Sequence, residues 1–264
     1  MSRRRGADVA GREPATAPRP ELLRCSARSA IALLPFAAGE LSRMRNHVGG
    51  SVRMADRGKA SDSSAEAQLT SVIAEAASCK RCPLYANATQ TVFGEGPPGA
   101  HAMLVGEQPG DKEDIAGQPF VGPAGRILDR ALVDAGIERD DTYVTNAVKH
   151  FKNEKRGKRR IHKRPNVAEI EQCRWWLERE IKIVKPTLIV ALGATAARAL
   201  LGRSAAVQKE RGKVEAGADG VPVFITIHPS ALLRIQDEDE RHAEYKRFVA
   251  DLKAAKRFLL KKAA

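Results

Sequence analysis

The sequence predicts a three-layer α/β/α fold with a central four-stranded parallel sheet, and two observations lead to that prediction. First, four short apolar segments rich in β-branched residues have the composition of buried strands; they cover residues 102–106, 142–146, 187–192 and 223–227. Second, helical patterns alternate with these segments. Strands that alternate with helices form parallel sheets covered on both faces, so residues 66–264 are expected to form one α/β/α domain.

The helices are predicted from the spacing of apolar residues between the strands. A first helix at 65–77 precedes the strands, and the connecting helices fall at about 124–135, 166–183 and 194–201. A charged amphipathic helix at about 239–260 closes the chain.

Residues 1–65 differ from the rest in composition. They are rich in Arg, Ala, Pro and Ser without strand or helix periodicity, which predicts a disordered extension. An alternative is that translation starts at Met44 or Met54, which would make the preceding residues an upstream-start artefact. Because the chain has no run of eighteen apolar residues, no membrane span is expected.

Positive charge is concentrated in one segment of the predicted domain. The chain has a formal net charge of +13, yet residues 149–164 alone hold nine Lys and Arg against one acid, Glu154. Outside this segment and the basic residues 1–60, the rest of the chain is close to neutral. A solvated basic loop is the plain interpretation, but a charge block of this density directly after a strand also favours binding of a polyanion such as nucleic acid. The segment includes His162, a base or nucleophile at neutral pH.

Polar residues gather where the predicted strands end. Glu107, Gln108 and Asp111 follow the first strand, Asn146 ends the second and His228 follows the fourth. The carboxyl ends of parallel strands meet at one edge of the sheet, where ligands bind in open α/β folds. This pattern predicts an active site at that edge.

The cysteines predict a metal site in a reducing compartment, and hence a cytoplasmic protein. Four cysteines are too few for a disulfide scaffold at this length, and Cys79-x-x-Cys82 places two thiols on one turn. Cys173, His150 and His101 are candidates to complete a four-ligand site. Ligand type alone leaves zinc and iron both open.

Four motifs together resemble the iron–sulfur uracil-DNA glycosylases of the family 4 type. They are Gly-Glu-Gln-Pro-Gly-Asp-Lys-Glu-Asp at 106–114, Gly-Gln-Pro-Phe-Val-Gly-Pro-Ala-Gly at 117–125, Val-Thr-Asn-Ala-Val-Lys at 144–149 and His-Pro-Ser-Ala-Leu-Leu-Arg at 228–234. The resemblance covers about residues 70–260 and includes the order of the motifs. It implies a uracil-DNA glycosylase-like fold and a role in DNA repair.

Two departures from the family 4 pattern match its covalent X-type relatives. Family 4 enzymes have a cysteine where this chain has His150, and they lack the Lys-Arg-Arg-Ile-His segment found at 158–162. X-type enzymes resemble family 4 but become covalently joined to uracil-containing DNA. The resemblance implies a 4Fe–4S cluster as cofactor, with Cys79, Cys82, His150 and Cys173 as its ligands.

The resemblance also implies roles for the strand-end residues. Catalysis is expected from Glu107 beside the sugar, His228 as donor to the departing uracil, and His162 as the nucleophile that captures the sugar. The expected substrate-binding residues contact the base or the DNA backbone; they are Gln108, Asp111, Phe120, Asn146, Arg159, Arg160 and Arg234.

The expected partner is uracil-containing DNA, single-stranded in the first instance with duplex DNA as the alternative, bound by a monomer. One rival function is a conventional family 4 enzyme that releases uracil and departs. The other is a non-catalytic, metal-containing nucleic-acid-binding protein that uses the basic segment alone.

Overall fold

The central sheet has one strand more than predicted. The computed structural model describes residues 55–263, with side chains described over 64–262. Its strands, in chain order, are β1 (Ala102–Gly106), β2 (Thr142–Asn146), β3 (Asn153–Arg156), β4 (Arg159–His162), β5 (Leu188–Leu192), β6 (Val214–Ala216) and β7 (Pro222–Thr226). Four of them form the predicted parallel sheet in the order β2-β1-β5-β7. The added strand, β6, pairs antiparallel with β7 at the edge.

The helices cover both faces of the sheet, as the sequence predicts. They are α1 (Ala55–Ala76), α2 (Asp111–Ala116), α3 (Pro123–Ala135), α4 (Val167–Val184), α5 (Ala194–Leu201), α6 (Val207–Glu210) and α7 (Glu238–Ala263). Apolar side chains of α1, α4 and α5 pack on one face of the sheet. Those of α3 and α7 pack on the other, so alternate residues of each strand enter different cores.

The helices that precede and follow β1 differ from the prediction. Helix α1 begins at Ala55, so residues 55–65 are helical rather than part of an irregular extension. The remainder of the predicted extension lies outside the described residues. The short helix α2 was not predicted, because its six residues span too few turns to show a period.

The basic segment, expected as a loop, forms a β-hairpin instead. Strands β3 and β4 pair antiparallel, with Asn153 opposite His162 and Arg156 opposite Arg159. Gly157 makes the turn with a φ of 59°, a left-handed conformation that costs glycine little. The hairpin was not predicted because its strands consist mainly of charged and polar residues. The sequence patterns that predict strands depend on the spacing of apolar residues.

The parallel strands end in register at one edge of the sheet. Gly106 is paired with Asn146 across β1 and β2, and Leu192 with Thr226 across β5 and β7. The segments that follow these strands therefore meet, as predicted. No helix in the part of the chain from 55 to 263 is both long and apolar enough to cross a membrane.

Candidate active site

A cavity of about 760 Å³ lies between the carboxyl edge of the sheet and the hairpin. Residues from six separate segments line it, including the ends of β1, β2, β5 and β7. Eight of the ten residues predicted to act in catalysis or substrate binding are among them: Glu107, Gln108, Asp111, Phe120, Asn146, His162, His228 and Arg234. The other two, Arg159 and Arg160, lie on the hairpin outside the lining.

Phe120 forms a buried wall of the cavity and is held in an unusual backbone conformation. Its φ is 58°, which is rare for a residue with a side chain. Gly125 makes this conformation fit, because a Cβ there would lie 1.6 Å from the Phe120 carbonyl oxygen. Gly106 has a similar role, since a Cβ would lie 2.5 Å from Phe120 Cζ and 2.4 Å from Asn146 Oδ1. Two glycines thus let an aromatic ring and an amide approach the end of β1.

Asn146 presents its amide to the cavity from the end of β2. The residue is 2% exposed, and its side-chain amide makes no hydrogen bond to any other group in the described part of the chain. Its backbone carbonyl is held by Lys149 Nζ at 2.7 Å. A buried amide without a protein partner has its donors and acceptor available for a ligand.

His228 follows β7 and is neutral with a defined tautomer. The backbone N–H of Ser230 donates to its Nδ1 at 3.1 Å, so Nδ1 is an acceptor and the ring proton is on Nε2. Burial, together with the charges of Arg234 and His162, lowers the pKa of His228 to about 4. Its ring stacks on Phe120 with the centroids 5.9 Å apart. At neutral pH the residue is therefore an uncharged hydrogen-bond donor.

Glu107 is fixed by a residue that sequence reasoning did not assign. Its Oε2 accepts a hydrogen bond from Thr195 Oγ1 at 2.6 Å, and Thr195 is in the first turn of α5. Its other oxygen, Oε1, lies 3.6 Å from His162 Nε2. Thr195 lies two residues after Gly193, the glycine in the turn between β5 and α5. This position after a predicted strand is the sequence signal that could have identified it.

Gln108 ties the hairpin to the end of β1. The N–H of Lys152 donates to its Oε1 at 3.1 Å, and its Nε2 donates to the carbonyl of Lys163 at 2.9 Å. The same Nε2 is 2.9 Å from His162 Nε2, so the histidine nitrogen is the acceptor. Burial lowers the pKa of His162, partly offset by Glu107. The imidazole is thus neutral, with its Nε2 lone pair directed towards the sheet edge.

Arg160 is engaged by carboxylates instead of lying free for DNA. Its Nε donates to Asp111 at 2.7 Å, its guanidinium also pairs with the fully buried Asp114, and it lies over the Phe151 ring. Asp111 and Asp114 are in the first turn of α2. Arg160 and His162 are two residues apart on β4, so they share one face of the strand. This geometry gives Arg160 a part in anchoring the hairpin.

The basic segment is less free than its composition suggests. Lys149 is fully buried and paired with Glu180, and Lys152 pairs with Glu169 at 2.8 Å. Lys163 pairs with Glu154. Within the described residues, the exposed basic side chains of the hairpin without an ion pair are Lys155, Lys158 and Arg159.

The two leucines of the segment after His228 lie in different environments. Leu233 is 50% exposed and lines the cavity together with Arg234, whereas Leu232 is 1% exposed and belongs to the core. Leu232 is therefore packed inside the protein, and of the two leucines Leu233 is the one exposed beside the cavity.

The expected cluster ligands gather beneath the end of β2, on the α1 and α4 side of the sheet. Cys173 Sγ accepts the N–H of Lys149 at 3.2 Å, and Cys79 Sγ accepts Trp176 Nε1 at 3.1 Å. The three sulfur atoms are close enough to interact electrostatically. His150 Nδ1 is buried without a hydrogen-bond partner, which is costly for a polar atom unless something binds it.

Three thiols and one imidazole are a donor set that suits either zinc or an iron–sulfur cluster. Among residues 64–262, no three His, Cys, Asp or Glu side chains converge in a way that could hold one metal ion. His101 is an exposed residue near the start of β1, bonded to Thr187, and does not belong to this set.

Comparison with known proteins identifies the family. Residues 93–253 match the family model described as the uracil DNA glycosylase superfamily. The chain is similar to the type-4 uracil-DNA glycosylases of three organisms. The identity is 39% for Thermotoga maritima (69% of this chain, 90% of the relative), 33% for Archaeoglobus fulgidus (68% and 90%) and 40% for Pyrobaculum aerophilum (59% and 80%).

The chain is therefore an α/β/α protein with a preformed polar cavity at the carboxyl edge of its sheet, and it belongs to the uracil DNA glycosylase superfamily. The predicted uracil-DNA glycosylase-like fold is confirmed.

Proposed function

We propose that this protein is a DNA N-glycosylase that excises uracil and is then joined covalently to the abasic sugar through His162. The observation that carries the proposal is the position of His162 Nε2, which is 3.6 Å from Glu107 Oε1 at the rim of the cavity that holds Asn146, Phe120 and His228. A nucleophile and a carboxylate thus flank the place where a flipped nucleotide would present its sugar.

Recognition of the base is assigned to Phe120 and Asn146. The Phe120 ring offers a buried surface on which a flipped uracil stacks. The amide of Asn146 supplies both donors and an acceptor, which match the O4 and N3–H edge of uracil and mismatch the corresponding edge of cytosine. A buried amide left unpaired by the wrong base makes this discrimination energetically strong.

Cleavage of the C1′–N1 bond creates two charges that the cavity is arranged to stabilise. The electron pair of the bond leaves with uracil, and the Nε2–H of neutral His228 donates to the developing anion. The carboxylate of Glu107, held by Thr195, stabilises the oxocarbenium ion that remains. The uracil anion then takes a proton from solvent.

Capture of the sugar is assigned to His162. Its Nε2 lone pair leaves the hydrogen bond with Gln108 and forms a bond to C1′, and the resulting imidazolium loses its Nδ1 proton to solvent. Imidazole bound to the sugar is a poor leaving group near neutral pH, so the product persists. The alternative is a conventional glycosylase in which water, held by Glu107, attacks C1′ instead.

Denaturing electrophoresis after incubation with a uracil-containing oligonucleotide distinguishes the two. We expect the wild type to form a complex that survives SDS and heat, and His162→Ala to release free uracil without such a complex. Glu107→Gln should slow both outcomes by roughly 10³-fold, because it acts on the cation that precedes them. Glu154→Gln, an exposed acid on the same hairpin, is the matched control. A stable adduct with His162→Ala would reject His162 as nucleophile, and uracil release by the wild type without any adduct would establish the conventional reaction.

We further propose that Cys79, Cys82, His150 and Cys173 hold a 4Fe–4S cluster. When bound, such a cluster supplies metal–ligand bonds that brace the chain between α1 and α4. Purified protein should contain about four irons per chain and absorb broadly in the visible region. Cys173→Ser should remove the colour and destabilise the fold. Stoichiometric zinc without visible absorbance would contradict the assignment.

The proposed partner is uracil-containing DNA, single-stranded in the first instance. Exposed Leu233 and Arg234 beside the cavity, together with the unpaired hairpin residues Lys155, Lys158 and Arg159, offer apolar and cationic contacts to a flexible strand.

A further inference from the structure

Lys149 and Glu180 form a fully buried ion pair that the proposed chemistry does not use. Both side chains are 0% exposed, and Nζ lies 2.5 Å from Glu180 Oε2. Lys149 also lies over the Phe93 ring, with Nζ 5.1 Å from its centroid. Removing two charges from water costs several kcal/mol per ion, so a buried pair is weak support for stability by itself. Its position in the fold therefore calls for another explanation.

Glu180 gathers hydrogen bonds from the strand that carries Asn146. Its Oε1 accepts Tyr143 Oη at 3.0 Å and Thr145 Oγ1 at 2.9 Å, both from β2. It also accepts the backbone N–H of Gly94 at 2.9 Å. A single carboxylate on α4 thus fixes the rotation of β2 about its own axis.

Lys149 closes the same network at the end of β2. Its three ammonium protons are directed to Glu180 Oε2, Thr145 Oγ1 and the carbonyl of Asn146, the last two at 2.7 Å each. The ammonium has three donors and all are used. The turn after β2 is therefore held at the residue whose amide faces the cavity.

We propose that the Lys149–Glu180 pair is a positioning device that sets base specificity, by fixing the backbone of Asn146 so that its amide meets the Watson–Crick edge of uracil. The inference deepens the proposed function and rests on it. The pair touches neither base nor sugar and acts through Asn146. An amide that reads a base loses its effect with small displacements, and an error of 1 Å at a reacting centre can cost about 10²-fold in rate.

The test uses a charge-neutral double variant, Lys149→Met with Glu180→Gln. The glutamine keeps an acceptor for Tyr143, Thr145 and Gly94, and no unpaired charge remains buried, so the double variant should fold more stably than Lys149→Met alone. What it lacks is the donor to the Asn146 carbonyl. Val184→Ala, a buried change one turn further along α4, serves as the control for lost stability without loss of this contact.

Two quantities are measured: the single-turnover rate of uracil excision with enzyme in excess, and the ratio of affinities for uracil- and cytosine-containing single strands. We expect the double variant to excise about 10²-fold more slowly and to lose most of its uracil preference, with Val184→Ala close to wild type in both. In an Asn146→Ala background the same double change should cost little more, because the effect passes through Asn146.

Equal rates and equal preference in the double variant and Val184→Ala would overturn the inference, as would full additivity with Asn146→Ala. If the wild type excises no uracil at all, the proposed function fails separately. The affinity ratio then still decides whether the pair governs base preference through Asn146.

Discussion

The cavity has two walls of opposite character. The sheet edge contributes Asn146 and Phe120 from buried, close-packed backbone. Only glycine fits at positions 106 and 125, because a Cβ at either would collide with Phe120. The hairpin contributes His162 from a two-stranded, largely exposed segment held by Gln108 and Arg160. Under the proposed function, the groups that recognise the base belong to the rigid wall and the group that captures the sugar belongs to the lightly held one.

This difference indicates that capture of the sugar can be altered separately from recognition of the base. A two-stranded hairpin is marginal without packing against the rest of the protein, whereas the sheet edge is part of both hydrophobic cores. Changes in the hairpin should therefore alter the fate of the sugar with little cost to the fold. Changes at the sheet edge should affect the fold and every step of the reaction.

Two glycine substitutions measure the contrast in stability. Gly125→Ala forces a Cβ against the Phe120 carbonyl and should destabilise the protein by at least about 3 kcal/mol, the upper end for single substitutions. Gly157→Ala meets no atom within 4 Å and should cost only about 1 kcal/mol, from its positive φ. Thermal unfolding of both variants checks this, and similar losses would mean that the hairpin is as constrained as the sheet edge.

The pH dependence should separate capture from excision. Burial lowers the pKa of His162 below its usual 6.5 and that of His228 to about 4, so both are neutral at pH 7. As the pH falls below the His162 pKa, the protonated ring loses its lone pair, while His228 keeps its Nε2 proton. The ratio of adduct to free abasic product, in which water has captured the sugar, should fall by about tenfold per pH unit in this range. A ratio independent of pH down to about 4 would contradict attack by a neutral His162.

Two neighbouring arginines should give different, smaller effects. Arg159→Ala removes an exposed charge, so it should weaken DNA binding a few-fold and reduce the slope of log affinity against log salt by about 1. Arg160→Ala breaks the anchor to Asp111 and Asp114, so it should slow adduct formation several-fold and change the salt slope little. Identical salt slopes for the two variants would show that Arg160 is not committed to its carboxylates when DNA is bound.

Much of the fold and most of the cavity were predictable because local patterns report them directly. Apolar β-branched runs gave the four parallel strands, and their carboxyl ends placed Glu107, Asn146 and His228 at one edge. The hairpin was not predicted because both faces of its strands carry charged residues, so no alternation of apolar and polar residues marks them as strands. The edge strand β6 was missed because three residues are too few to show a pattern.

What the sequence determined by itself is the residue set: the four parallel strands, the order of the polar residues that follow them, the cysteine pair and the charge of the basic segment. Only the tertiary structure decided which of the basic side chains are buried, which are paired and which remain exposed to solvent. It buried Lys149 against Glu180, committed Arg160 to α2 and left Arg159 in solvent, although all three lie within twelve residues of one another. The reason is physical, since the free energy of a charge depends on the partners and solvent around it, and those come from segments distant in the chain.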